Sequence, residues 1–279
     1  MDVGGIVCDI AVSRDGKRVV SGTTSGWVKV WNAESHKKVI EWEAHTRRVR
    51  AVDVSPDATK IATGSEDGSH GTLCVWSLST GKRLIDPIEH INSVVAVKFS
   101  PDGRLVATAT WDGSVRVYGS QNLNGRLLFE FPIKVNSLRN QSLAWASDNK
   151  QLFALSRDGN IHCLDVSTGT TLSKWPTRSE GADCIALANN GTFVAVSALF
   201  SVSFWDTTTH NKIECVVHHA PHIMSIAISS NHDIVTTGGN KITVRNLRDV
   251  LPSSYCDDVS AFTSNAHRVK WPPNDELLF

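Results

Sequence analysis

Val95-Ala96-Val97-Lys98-Phe99, Ser100-Pro101-Asp102-Gly103, Leu105-Val106-Ala107-Thr108-Ala109, Trp111-Asp112-Gly113 and Ser114-Val115-Arg116-Val117-Tyr118 follow one another along the chain. Read in order, they are strand, turn, strand, turn, strand. The apolar runs are short, alternate in polarity and are rich in β-formers, which predicts strands. In the first turn Pro101 presets φ, Asp102 can bond its own backbone, and Gly103 accepts positive φ. Asp112-Gly113 is a hairpin signal. A looser polar segment, Gly119 to Asn124, leads to a fourth predicted strand at Leu127-Leu128-Phe129-Glu130-Phe131.

The same pattern recurs along the whole chain. Its first turn falls at Asp15, Asp57, Asp102, Asp148, Asn190 and Asn231, and the end of its third strand at Trp31, Trp76, Tyr118, Leu164, Trp205 and Arg245. A period of about 40–45 residues with four short strands per unit is the mark of a β-propeller blade. The expected fold is therefore all-β. Repeats are expected near 6–43, 44–88, 89–132, 135–177, 178–217 and 218–262, in one domain spanning 1–279. A seventh is expected to start at 266–279: Trp271 falls at the place of Phe99, Pro273 at that of Pro101 and Asn274 at that of Asp102. Two plans compete, a ring of six blades with an outer strand near Val259 to Thr263, or a seven-blade plan whose last blade is cut short. Almost no segment has helical periodicity.

The 279 residues are 41% hydrophobic, enough for a large core, and the repeats run on without a linker. The 28 basic and 28 acidic side chains cancel, which argues against direct nucleic-acid binding through a basic field. The six cysteines, Cys8, Cys74, Cys163, Cys184, Cys215 and Cys256, form no C-x-x-C pair and read as reduced thiols of an intracellular protein, cytoplasmic or nuclear. No run approaches the roughly 18 apolar residues of a membrane helix, so no membrane partner is expected.

The arrangement resembles the WD40 repeat family over nearly the whole chain. The resemblance implies a structural tetrad in each repeat: a His before the first strand, a Ser or Thr on the second, an Asp in the tight turn and a Trp on the third. His45, Ser65, Asp67 and Trp76 match it in the second repeat, and His90, Thr110, Asp112 and Tyr118 approach it in the third. The others are eroded. The first has Thr23, Ser25 and Trp31 with Val3 at the His place; the fourth has Ser156 and Asp158 but Leu164. The fifth has Ser197 and Trp205 but Leu199, and the sixth His219 and Thr237 but Gly239 and Arg245. His45, Ser65 and Asp67 also have the residue types of a hydrolase triad. Recurrence in a second repeat favours the structural role, so no catalytic residue is assigned.

His218, His219 and His222, with His210 nearby, have types that ligate zinc, but His219 stands at a tetrad position and no metal is assigned. There is no phosphate-binding glycine motif, and no cofactor is expected. The resemblance implies partner binding across the face formed by the turns between second and third strands. The residue before the turn Asp points toward that face, here Thr24, Glu66, Trp111, Arg157, Ala198 and Gly238. Trp111 either anchors a partner or packs on a neighbouring loop. Arg47, Arg48 and Arg157 either meet an acidic or phosphorylated peptide or are solvated. Candidate partner-binding residues are therefore Trp111, Arg157, Glu66, Arg47 and Arg48. The expected function is a non-catalytic scaffold for proteins or peptides. The alternative is a repeat fragment of a larger signalling, chromatin or ubiquitin-ligase substrate-recognition protein. Trp205-Asp206-Thr207-Thr208 lacks the Arg that ligase subunits of the family often carry there.

Overall fold

A computed structural model describes residues 5–67, 70–111, 113–120, 125–133, 142–179, 181–219, 222–228, 233–238 and 241–255. Among them are 23 strands and two single 3-10 turns, Leu247–Asp249 and Ser253–Tyr255. The first sheet holds β1 (Val7–Val12), β2 (Arg18–Thr23), β3 (Trp27–Asn32) and β4 (Lys38–Glu43). The second holds β5 (Val49–Val54), β6 (Lys60–Ser65), β7 (Gly71–Ser77) and β8 (Ile88–His90), and the third β9 (Val94–Phe99), β10 (Leu105–Thr110), β11 (Val115–Gly119) and β12 (Leu127–Phe131). The fourth holds β13 (Leu143–Trp145), β14 (Gln151–Leu155), β15 (Asn160–Asp165) and β16 (Thr170–Pro176). The fifth holds β17 (Ala182–Leu187), β18 (Phe193–Ala198), β19 (Ser201–Asp206) and β20 (Lys212–His218). The sixth holds β21 (Ser225–Ile228), β22 (Asp233–Gly238) and β23 (Lys241–Asn246). Every sheet is an antiparallel meander in chain order. The expected outer strand near Val259 to Thr263 and the expected seventh repeat lie outside the described residues.

One turn device joins first to second strand in the first three sheets. Ser13 Oγ donates to Asp15 Oδ1 at 2.6 Å and accepts from Arg18 N at 2.9 Å. Ser55, Asp57 and Lys60 repeat the arrangement, as do Ser100, Asp102 and Leu105. The turn ends on a residue with positive φ: Gly16, Gly103 and Gly191 at +71°, +71° and +74°, but Ala58 at +53° and Asn149 at +60°.

The first strands β1, β5, β9, β13, β17 and β21 lie side by side in that order, so the sheets stand around an axis as propeller blades. Polar bonds stitch neighbours near the axis. Asp9 Oδ2 accepts from Val52 N at 2.9 Å, and Asp53 Oδ2 accepts from Phe99 N at 2.8 Å. Trp145 Nε1 donates to Lys98 O at 3.1 Å. The core lies between blades, because each blade is apolar on both faces. Val20, Val28 and Val30 pack on Val52 and Trp76; Leu73 and Val75 on Val97 and Phe99. Val115 and Val117 pack with Leu152 and Leu164, Phe153 and Ile161 with Val194 and Trp205, and Phe193 and Phe204 with Ile226 and Ile234. Close approach needs glycine at Gly64, where a Cβ would sit 2.6 Å from Val94 Cγ1.

Candidate functional site: the blade staples and the Trp111 face

Within the second blade the polar residues form one chain of hydrogen bonds. Trp76 Nε1 donates to Thr63 Oγ1 at 2.9 Å, and Thr63 Oγ1 lies 2.7 Å from His45 Nε2. With the ring proton on Nδ1, opposite the Asp67 carboxylate, Nε2 is the acceptor, and Thr63 takes the indole N–H on a lone pair while giving its own proton to Nε2. The Nδ1–H of His45 then faces Asp67 Oδ2 at 3.1 Å. Ser65 and Thr72 donate to the same oxygen at 2.5 and 2.6 Å, and Thr46 Oγ1 and Arg47 N donate to Oδ1 at 2.9 and 3.2 Å. Burial works to raise the Asp67 carboxyl, but the bonds from His45, Ser65, Thr72 and Thr46 outweigh it and hold it well below the usual carboxylate range.

The hydroxyl that joins histidine to the third-strand aromatic is thus Thr63, two residues before Ser65, the residue that the resemblance singled out. Ser65 serves the Asp turn instead. The third blade repeats the shift: His90 Nε2 lies 3.2 Å from Thr108 Oγ1 and 3.1 Å from Tyr118 Oη. Thr110 lies 2.8 Å from Ser114 Oγ. Asp112 is outside the described residues. In the first blade Trp31 Nε1 donates to Ser21 rather than Thr23. In the fifth, Trp205 Nε1 donates to Ser203 while Ser197 Oγ accepts from Cys184 N. In the fourth, Ser156 bonds Asp158 and lies 3.2 Å from Nε2 of the buried His162 on β15, which sequence reading missed. Burial first, then Lys174, lowers the His162 pKa.

This order of bonds does not prepare a nucleophile. A hydrolase serine gives its proton to histidine, whereas Ser65 gives its proton to Asp67 and the hydroxyl on His45 is capped by a buried indole. The histidines of the suggested metal cluster part company: His210 stacks on Trp175 with centroids 4.2 Å apart, and His222 meets Phe200 edge-on. Among the described residues no three His, Cys, Asp or Glu side chains converge as metal ligands. No disulfide joins any two of their five cysteines, Cys8, Cys74, Cys163, Cys184 and Cys215, and Cys256 is outside the described residues.

The turns between second and third strands lie on one edge of the blades with the loops that lead into the first strands. Backbone bonds hold the two together: Thr24 N donates to Ile6 O, Glu66 N to Arg48 O and Trp111 N to Ser93 O. On that edge Trp111 is 43% exposed. Arg50, from β5 of the neighbouring blade, sets its guanidinium carbon 5.5 Å from the Trp111 ring centroid. Arg50 Nε donates to Glu66 Oε2 at 2.7 Å, which fixes the fork. Glu66, Arg50 and Trp111 are therefore one unit across the boundary between blades two and three, and Arg50 is the member sequence reading left out. Its signal was present, since Arg50 alternates with apolar residues along a strand beginning at an expected binding loop. Arg47 and Arg48 are exposed on the same leading loop. Arg157 is exposed on the corresponding turn of the fourth blade, and among the described residues no contact joins it to the Trp111 group.

Six antiparallel blades around an axis, with polar staples inside them and a loop face at one edge, define a β-propeller built from repeats. Family models identify which one. The WD domain, G-beta repeat model matches residues 3–32, 36–77 and 81–119, and the model of the anaphase-promoting complex subunit 4 WD40 domain matches residues 120–190. The chain belongs to the WD40 repeat family. It is also 31% identical over 100 residues to the transcription factor unc-37 of Caenorhabditis elegans, a match covering 35% of this chain and 16% of that protein. No helix among the described residues is long and apolar enough to cross a membrane.

Proposed function

We propose that this propeller is an interaction scaffold that holds a peptide or protein partner at the loop edge around Trp111, Arg50 and Glu66. The observation that carries the reading is the exposed Trp111 ring with the Arg50 guanidinium over it, tied to Glu66. An indole and a guanidinium on a rigid frame are the groups that most often anchor interfaces. Arg47 and Arg48 beside them suit an acidic or phosphorylated segment. The role is binding without catalysis, since the His45 hydrogen-bond chain is spent inside the blade. Reduced thiols fit an intracellular site of action. The test is a peptide array, with phosphorylated and unphosphorylated members, probed with the parent chain and with Trp111→Ala. Loss of the bound set in the variant is expected. An unchanged bound set places the partner surface elsewhere.

A second reading, in which these repeats are one part of a larger signalling or chromatin protein, is favoured by the match to a sixth of the length of a transcription factor. The mass of the endogenous product on an immunoblot separates the two: a band near the 30.4 kDa of this chain supports a stand-alone scaffold, and a much heavier band supports the larger protein.

A further inference from the structure

The turns that join first to second strand and third to fourth lie on the edge away from Trp111, and their charge is shared unevenly between blades. In the first blade these turns are 13–18 and 32–38, and in the second 55–60 and 77–83. Together they carry eight Lys and Arg side chains against three carboxylates, Asp15, Glu34 and Asp57. The matching turns of the fourth and fifth blades are 146–151, 165–171, 188–193 and 206–212. They carry two cations, Lys150 and Lys212, against three carboxylates, Asp148, Asp165 and Asp206. Backbone bonds fix the match, since Asn32 N donates to Lys37 O as Ser77 N does to Lys82 O and Asp206 N to Asn211 O. The neutral total of the chain thus hides a basic edge on blades one and two.

The fold gathers these cations into one surface. Ala33 N donates to Lys17 O at 3.0 Å, and Leu78 N to Thr59 O at 2.9 Å, so the two turns of each blade meet. Gly81, at φ +66°, lets the turn of the second blade press on β4 of the first. A Cβ there would stand 2.9 Å from Trp42 Cε3 and 3.3 Å from Ile40 Cδ1. Lys82 and Arg83 are thereby set beside the end of β4 that carries Lys37 and Lys38. Nearby acids do little to pair them. Asp15 and Asp57 are held by the serine and backbone of their own turns. Among the described residues, Lys38 alone of the eight cations meets a carboxylate at ion-pair distance, that of Glu41. Directly after each cation pair stands an exposed aliphatic, Val39 at 51% and Leu84 at 48%.

We infer that this edge of blades one and two is a second docking surface, for an acidic protein segment that carries aliphatic side chains among its Asp and Glu residues. Cations held on turns of a rigid frame complement carboxylates and steer their approach. Val39 and Leu84 supply the apolar contact between them. Single-stranded nucleic acid is gripped through exposed aromatic faces, and the indoles here are turned inside: Trp31 and Trp76 are buried, and Trp42 lies against Gly81. A duplex presents phosphates to such a surface and leaves the aliphatics unused. The surface is separate from the Trp111 face, so one propeller holds two partners on opposite edges.

The test is fluorescence anisotropy on the full chain with a labelled synthetic peptide in which Asp and Glu are interspersed with Leu. A DNA duplex and phosphatidylserine vesicles are measured beside it. One variant combines Lys37→Glu, Lys38→Glu, Lys82→Glu and Arg83→Glu, and a control combines Lys150→Glu with Lys212→Glu on the same edge of blades four and five. The first is expected to weaken peptide binding about tenfold or more, and the control to stay within about twofold of the parent. Val39→Ser with Leu84→Ser should weaken it by about threefold or more. Trp111→Ala should bind this peptide as the parent does, so the two faces fail separately. All the substituted side chains are exposed, and a parental melting curve shows that each variant folds. Lys37→Gln with Lys82→Gln repeats the test at lower charge change. A parent that does not bind the peptide overturns the assignment. So do equal losses from the two Glu variants, serine variants that bind as the parent does, or a duplex or vesicles bound more tightly than the peptide.

Discussion

Trp76 Nε1 reaches Thr63 Oγ1 at 2.9 Å, and through that one hydroxyl the third strand of the second blade is tied to His45 ahead of its first strand. Thr63 has partners on both sides and is fully buried. Thr63→Val leaves an indole N–H and an imidazole nitrogen unsatisfied inside the blade, at a cost of about 2–3 kcal/mol. Ser65→Ala removes one of several donors to Asp67, at a cost of about 1 kcal/mol. Urea denaturation of the two variants should rank them in that order. The reverse ranking would return the joining role to Ser65.

The Arg50–Trp111 contact should matter more for binding than for folding. Both residues keep access to water, and an exposed cation–π pair contributes about 0.5–1 kcal/mol. Arg50→Ala is therefore expected to lower stability by no more than about 1 kcal/mol while weakening the array signals that depend on Trp111. A variant that melts far below the parent would make the unit a structural clasp.

Two carboxylates give opposite pH dependences. Burial pushes the Asp9 carboxyl up from 3.8 to about 7, against the nearby Lys98 charge and the bonds from Val52 and Ile10. Between pH 3.8 and about 7 the folded chain keeps a proton that the unfolded chain has released, so this group's contribution falls as pH rises through that window. Asp67, held below its usual range, contributes stability that is present above pH 3.8 and is lost as pH falls below it. Melting curves from pH 4.5 to 8 should show a smaller decline for Asp9→Asn than for the parent. Asp67→Asn should be least stable relative to the parent at neutral pH. Equal slopes for the parent and Asp9→Asn would remove Asp9 from the account.

Ala58 holds φ of +53° at a turn position where Gly16, Gly103 and Gly191 stand in other blades. The left-handed region costs a side chain with a Cβ about 1–2 kcal/mol, part of which glycine gives back through a freer unfolded chain. Ala58→Gly should raise stability by about 0.5–1 kcal/mol, read as a higher urea midpoint at unchanged slope. A lower midpoint would mean that the turn is not strained.

Much of the fold was legible because strand alternation and turn chemistry are local. Ser100-Pro101-Asp102-Gly103 makes its turn from four adjacent residues, and six copies in register leave little choice of architecture. The staples were legible by type and missed by position. A strand puts residues i and i+2 on the same face, so Thr63 and Ser65, Thr108 and Thr110, or Ser21 and Thr23 satisfy one pattern equally well. Only the reach of the third-strand Trp, or of the His ahead of the first strand, selects between them.

What the sequence determined by itself was therefore the β-propeller class and the six repeats along the described chain, because each depends on residues within one repeat. What only the tertiary structure decided lies between repeats. It set Arg50 over Trp111 from the next blade, and placed Asp9 and Asp53 on backbone amides more than forty residues away. It also left Ile10 and Val244 exposed at positions buried in other blades. The physical reason is that blade packing joins residues far apart in the chain, and burial depends on which neighbour arrives, a quantity that no window of one repeat contains.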